Sequence, residues 1–212
     1  MEQVPGGLTR RAESFVLAHG VQVAALDVDE QRERWAESGI LAAEIDRVAA
    51  FQQRWGGLAL PPAPGYDGGP RYFDADTPEG SAADGWWFDV GPQRAAVPYA
   101  FMVGPTGEFG IHSDRWVPLH ASVDGWVESL ALAYHAAALA ETITRVEGDA
   151  VDRVVLDGYE PVPEVGGLAD TWWRGPGRLV AIYTGEAVAM SAPGVRTARI
   201  YAGLDGRRRP LP

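Results

Sequence analysis

The residues best suited to acid, base or metal chemistry lie in the middle of the chain, where Glu108, His112, Asp114 and His120 fall on neighbouring short β-type runs. Strand alternation puts His112 and Asp114 on one face, as two metal ligands require. The spacing is neither His-x-His nor His-Glu-x-x-His, and the other two imidazoles, His19 and His135, stand far off in sequence. Structural or surface roles are therefore expected, and no metal is assigned. Ser81, Ser113, Ser122 and Ser129 all lack a Gly-x-Ser-x-Gly setting, and Ser122 has the simpler task of capping a helix. The carboxylate pairs Asp74 with Asp76 and Asp84 with Asp89 are of the type that moves protons, but loop carboxylates of an acidic chain are ordinarily solvated, so no catalytic residue is named. No Gly-x-Gly-x-x-Gly follows a strand, and no cofactor is expected.

What remains is recognition. Residues 66–89 hold six acids, Asp67, Asp74, Asp76, Glu79, Asp84 and Asp89, against one arginine, with Tyr66, Tyr72, Phe73, Trp86 and Trp87 between them. Aromatic anchors within an acidic rim suit a basic protein, the rings giving binding energy and the charge giving association rate. The partner-binding candidates are Tyr66, Tyr72, Asp74, Asp76, Glu79, Asp84, Trp86, Trp87 and Asp89; an ordinary solvated loop is the rival account. A different arrangement of the same region makes a small-molecule pocket or enzyme site from Trp86, Trp87, Arg94, Tyr99 and His112, since aromatics with a few convergent polar groups also describe a ligand site.

The composition narrows the class further. The chain has 212 residues, a formal charge of -11, no cysteine, and arginine as its only strongly basic residue. Without cysteine or lysine there is no thiol nucleophile, disulfide, Schiff base or phosphate-loop lysine. The acidic balance disfavours nucleic acid and anionic membranes. The N-terminus has no apolar run behind a basic one, and nowhere do about twenty apolar residues follow in sequence, so a cytoplasmic protein is expected, in a bacterium with a GC-rich genome.

The elements that must position these residues follow from pattern. Residues 8–18 predict a helix capped by Thr9 and stopped by Gly20, and a second helix runs from a cap at Asp29 to Glu37. A third, Ala42–Trp55, ends at Gly56-Gly57 before Pro61-Pro62. Residues 66–84 lack either period and predict a long surface excursion. Short aromatic and branched runs at 86–90, 95–103, 108–113 and 115–120 predict an antiparallel meander with its clearest hairpin at 103–108. A helix follows over 122–144, and β-type runs at 153–157, 178–184, 187–191 and 195–203 predict a second small sheet or an extension of the first. Trp55, Phe101, Trp126 and Leu130 should be core. Tandem tryptophans at Trp86-Trp87 and Trp172-Trp173 should each split between two faces of a strand. Residues 207–212 look like a frayed tail.

The succession of a helix, FQQRWGGLALP, a Gly-rich excursion, an aromatic meander containing GPTGEFGI, and then WVPLHASVDGWVESLALAYHA resembles the SUKH superfamily of bacterial immunity and scaffold proteins over 42–140. The resemblance implies an α+β fold with a curved antiparallel sheet flanked by helices. It also implies no catalytic residues, and a face that binds another protein, often a toxin. On this division residues 1–146 form the SUKH-like domain, and 147–212 a β-rich C-terminal extension packed on it. Oligomeric state is left open.

Overall fold

A computed structural model describes residues 4–66 and 68–204. Helix α1, Arg10–His19, starts where the Thr9 hydroxyl accepts the Ala12 N–H and stops at Gly20, and its buried face is Ala12, Phe15 and Val16. Helix α2, Val28–Glu37, begins earlier than expected because Asp27, not Asp29, is the cap: its carboxylate accepts the Asp29 N–H at 2.9 Å. Helix α3, Ala42–Trp55, buries Ile45, Val48, Phe51 and Trp55. Of the two glycines that end it, only Gly57 takes positive φ, +77°. The chain then enters β2, Leu58–Ala59, which pairs antiparallel with β1, Val21–Gln22.

The first large sheet has the order β3-β4-β5-β6-β7, with β3 Glu79–Ser81, β4 Gly85–Asp89, β5 Ala100–Val103, β6 Phe109–His112 and β7 Trp116–His120, antiparallel throughout. The 66–84 segment is not a surface excursion. Phe73 and Ala75 are buried, the backbone of residues 71–76 bonds to Leu58, Val90 and Pro92 as well as Asp89, and the segment ends in β3. An alternation as short as Phe73-Asp74-Ala75 is too brief to announce itself among glycines and prolines. Pro118 is tolerated because β7 is an edge strand.

Helix α4, Val123–Leu139, follows Ser122, whose hydroxyl accepts the Gly125 N–H at 3.2 Å. It is apolar almost all round, because α1 and the Pro163–Val165 turn cover it as well as the two large sheets. Trp126 meets Phe73 and Phe109 from the first sheet's side, at 5.6 and 4.9 Å between rings. From the other side Trp172 donates its Nε1–H to Ser129 at 2.8 Å. The helix ends at Leu139, short of the expected 144, and residues 142–147 are a strand. Thr142, Ile143, Thr144 and Val146 are β-branched and prefer extended chain, but the run Ala136-Ala137-Ala138 gives no stop signal.

The second large sheet is separate from the first. Its order is β8-β12-β11-β10-β9, all antiparallel, with β8 Thr142–Glu147, β9 Glu160–Pro161, β10 Asp170–Gly175, β11 Arg178–Tyr183 and β12 Thr197–Ala202. Two expected strands are absent. Residues 153–157 leave a 3₁₀ turn, Gly148–Arg153, as irregular chain, and the apolar run at 187–191 belongs to a short helix α5, Gly185–Ala189, an ambiguity inherent in short apolar runs. One core joins both sheets and includes Trp55, Phe101, Trp126, Leu130, Trp172 and Tyr201. The class is α+β. No described helix is long and apolar enough to cross a membrane. The expected tail at 207–212 lies outside the described residues, as does Asp67.

Candidate functional site

Residues opposed in an antiparallel ladder share a face, so the register sorts the first sheet into two sides. Phe88, Phe101, Val103, Phe109, Ile111 and Val117 face the core, where Phe51 of α3 meets Phe88 at 5.2 Å edge to face. The other side carries Glu79 opposite Trp87, Asp89 opposite Met102, Met102 opposite Gly110, and His112 opposite Trp116. Helices α3 and α4 both lie on the core side, which leaves this face open.

The open face is paved with rings. Trp87 lies 6.0 Å from the His112 ring. Trp116 crosses the strands over two glycines: a Cβ on Gly110 or on Gly104 would stand 2.7 Å from its ring. Only glycine lets the indole lie so close. Trp87 and Trp116 remain half-buried, and His112 is exposed. Trp86, one residue away, packs inward, with its carbonyl accepting an N–H of Arg47 at 2.6 Å.

At the β3 edge the acids gather. Asp76 and Glu79 are exposed, and their charges help raise the carboxyl of Asp89 above its ordinary range, burial being the larger cause. None of Asp76, Glu79, Asp84 or Asp89 forms an ion pair among the described residues. Asp84 accepts from the Ser81 hydroxyl at 2.8 Å. Asp74 is committed elsewhere: it accepts the Leu26 N–H and the Gln52 side chain, at 2.7 and 2.9 Å, and so ties the β1–α2 connection to α3. Tyr72 is half-buried.

The five residues of the pocket arrangement are not brought together. Trp86 faces inward while Trp87 and His112 face outward, and Arg94 donates to the carbonyls of Leu60 and Pro70. Tyr99 instead meets Tyr66: both phenols donate to Oε1 of Glu186, at 2.6 and 3.0 Å. Tyr66 stacks on Tyr183 with centroids 5.0 Å apart. Around them is a cleft of about 410 Å³, bounded by Tyr66, Tyr183 and Glu186, by the buried Asp170, by Arg145 and Glu147 of β8, and by Gly194 and Thr197. Asp170 accepts the N–H groups of Thr184 and Gly185, both at 2.9 Å, and burial pushes its carboxyl up to about 7.

The histidines separate for a local reason. Alternation would put His112 and His120 on one face, but a bulge opposite Phe109 and Gly110 breaks the parity and turns His120 inward. There its Nδ1 lies 3.1 Å from the Val165 carbonyl, and burial lowers its pKa to about 4. In comparisons with known proteins, no family model, no curated protein and no solved structure matches the chain.

Trp116, Asp170, Tyr183 and Glu186 were not among the candidates that the sequence offered. A signal existed for the first, because a glycine inside the strand run Phe109-Gly110-Ile111 marks a close approach. The other three are joined only by long-range packing.

Proposed function

We propose that this chain is a non-catalytic binding protein of the immunity type, which holds a basic protein partner, a toxin domain being the fitting class, against the open face of the first sheet in the cytoplasm. One observation carries the reading: two half-buried tryptophans lie across an uncovered sheet face whose free edge bears carboxylates without ion-pair partners among the described residues. Rings fixed in place lose little conformational freedom on binding, and a rim of like charge speeds encounter with an opposite charge. The resemblance to SUKH proteins, on the helix closed by Gly56-Gly57 and the Ser122-capped helix after the meander, favours the immunity class over other protein-binding roles.

The test is binding kinetics over a salt series against the purified product of the adjacent reading frame. Trp116→Ala and Trp87→Ala are expected to shorten the lifetime of the complex by roughly 30-fold, the equivalent of about 2 kcal/mol. Asp76→Asn with Glu79→Gln should slow association at low salt and leave dissociation alone. No complex with that product, or one indifferent to all four substitutions, would overturn the reading. The cleft at Glu186 favours a second reading, binding of a small ligand.

A further inference from the structure

We propose that the cleft around Glu186 is a binding site for an organic cation, a primary ammonium or guanidinium group, with Glu186 as its counter-ion. Its volume, about 410 Å³, lies within the range of roughly 300–1,000 Å³ typical of small-ligand sites. Three carboxylates line it: Glu147 is paired with Arg145, while Asp170 and Glu186 form no ion pair among the described residues. The basic groups nearby are already engaged: Arg145 pairs with Glu147 at 2.6 Å, and Arg199 donates to the Gly65 carbonyl. Glu186 is held in place by the two phenols on Oε1, which leaves Oε2 without a hydrogen-bond partner among the described residues.

A second observation is independent of the acids. Tyr183 is only 8% exposed and lines the cleft, and its hydroxyl has no hydrogen-bond partner among the described residues. The oxygen itself is not fully buried and opens to the cleft, where a ligand N–H would take the place of water as its partner. The stacked rings of Tyr66 and Tyr183 add a wall whose π-electrons attract a cation. Anions are disfavoured by Glu186, and an uncharged ligand would leave its charge uncompensated. The inference does not rest on the sheet-face reading, since neither Trp87 nor Trp116 lines this cleft.

Isothermal titration of the whole chain tests it. The probes are agmatine, which carries both cationic groups, an acetylated and amidated Gly-Arg-Gly peptide, and glutarate as the anionic control. Saturable binding of either cationic probe is expected; agmatine binding alone marks a free amine as the ligand, and peptide binding alone an arginine side chain of a protein. Glu186→Gln should weaken binding by about 10-fold or more, and Tyr183→Phe by about 3- to 10-fold. Gly194→Phe should abolish it while the protein stays folded, because a Cβ there meets open space. Trp116→Ala should change nothing, which keeps this result separate from the partner experiment. No saturable heat with either cation, equal affinity for glutarate, or unchanged affinity in folded Glu186→Gln and Gly194→Phe proteins would overturn the proposal.

Discussion

Replacing Asp170 with asparagine should stabilise the protein at neutral and alkaline pH and do nothing at low pH. Asp170 is 4% exposed. Burial is the largest influence on its carboxyl and raises it; the Gly185 and Thr184 N–H groups oppose that rise, the Glu186 charge adds to it, and the outcome is about 7 against an ordinary 3.8. Between these values the folded protein holds a proton that the unfolded chain has released. The contribution of this group is therefore complete below about pH 4 and is lost as pH rises through 7, in total ~4 kcal/mol at ~1.4 kcal/mol per unit. His120 has the opposite sign. Its folded value, about 4 against 6.5, means that the unfolded chain holds the extra proton, so its contribution is present above 6.5 and lost as pH falls towards 4.

In the wild type the two slopes oppose one another between pH values of about 4 and 6.5 and nearly cancel. Asparagine keeps an oxygen to accept from Thr184 and Gly185 but cannot ionise. The variant should match the wild type near pH 4, exceed it by up to ~4 kcal/mol near pH 8, and grow more stable with rising pH across the window where His120 acts unopposed. Urea unfolding followed by tryptophan fluorescence at three pH values measures this. A variant that is less stable at pH ~8, or that differs from wild type by a constant amount at every pH, would show that the carboxyl is not desolvated as the fold implies.

Two further substitutions probe α4. Glu128, 1% exposed, is held by Arg11 and the Thr9 hydroxyl, so Arg11→Ala should cost roughly 3–5 kcal/mol by urea unfolding and Glu128→Gln in that background should recover part of the loss; no recovery would refute a charge-based cost. Trp126→Ala should cost about 3–5 kcal/mol, since Phe73 and Phe109 cannot both close on the cavity, and a loss below ~1 kcal/mol would place the ring outside the core.

Helix starts and stops were legible where a side chain or a glycine does the work locally: Thr9, Gly20, Gly57 and Ser122 all act as their types suggest. Boundaries set by the surroundings were not. The chain leaves α4 at Leu139 because the next residues pair with β12, a partner more than fifty positions on that no window of α4 contains. The cleft was illegible for the same reason. Tyr66 and Tyr99 were both recognised as binding types, but for different sites, and Glu186, which unites them, sat in the Gly185-Glu186 gap that pattern reads only as a turn between two strands.

The open face poses a different problem, because its rings have two uses. An antiparallel sheet with one solvated side ordinarily places polar residues there, yet this one places Trp87, Met102 and Trp116. Trp116 seals the backbone at Gly104 and Gly110, positions where no Cβ fits beneath it, and so contributes to folding whether or not a partner exists. Sealing and binding leave different traces. A ring that only seals alters unfolding free energy and leaves the complex lifetime unchanged once the protein is folded; a ring that also binds alters both. Trp87 is the cleaner probe, because it leans on His112 at the exposed end of β6 rather than on a glycine floor, and removing it should disturb the sheet less than removing Trp116. A change in lifetime at Trp87 with little change in stability would therefore separate recognition from packing on this face.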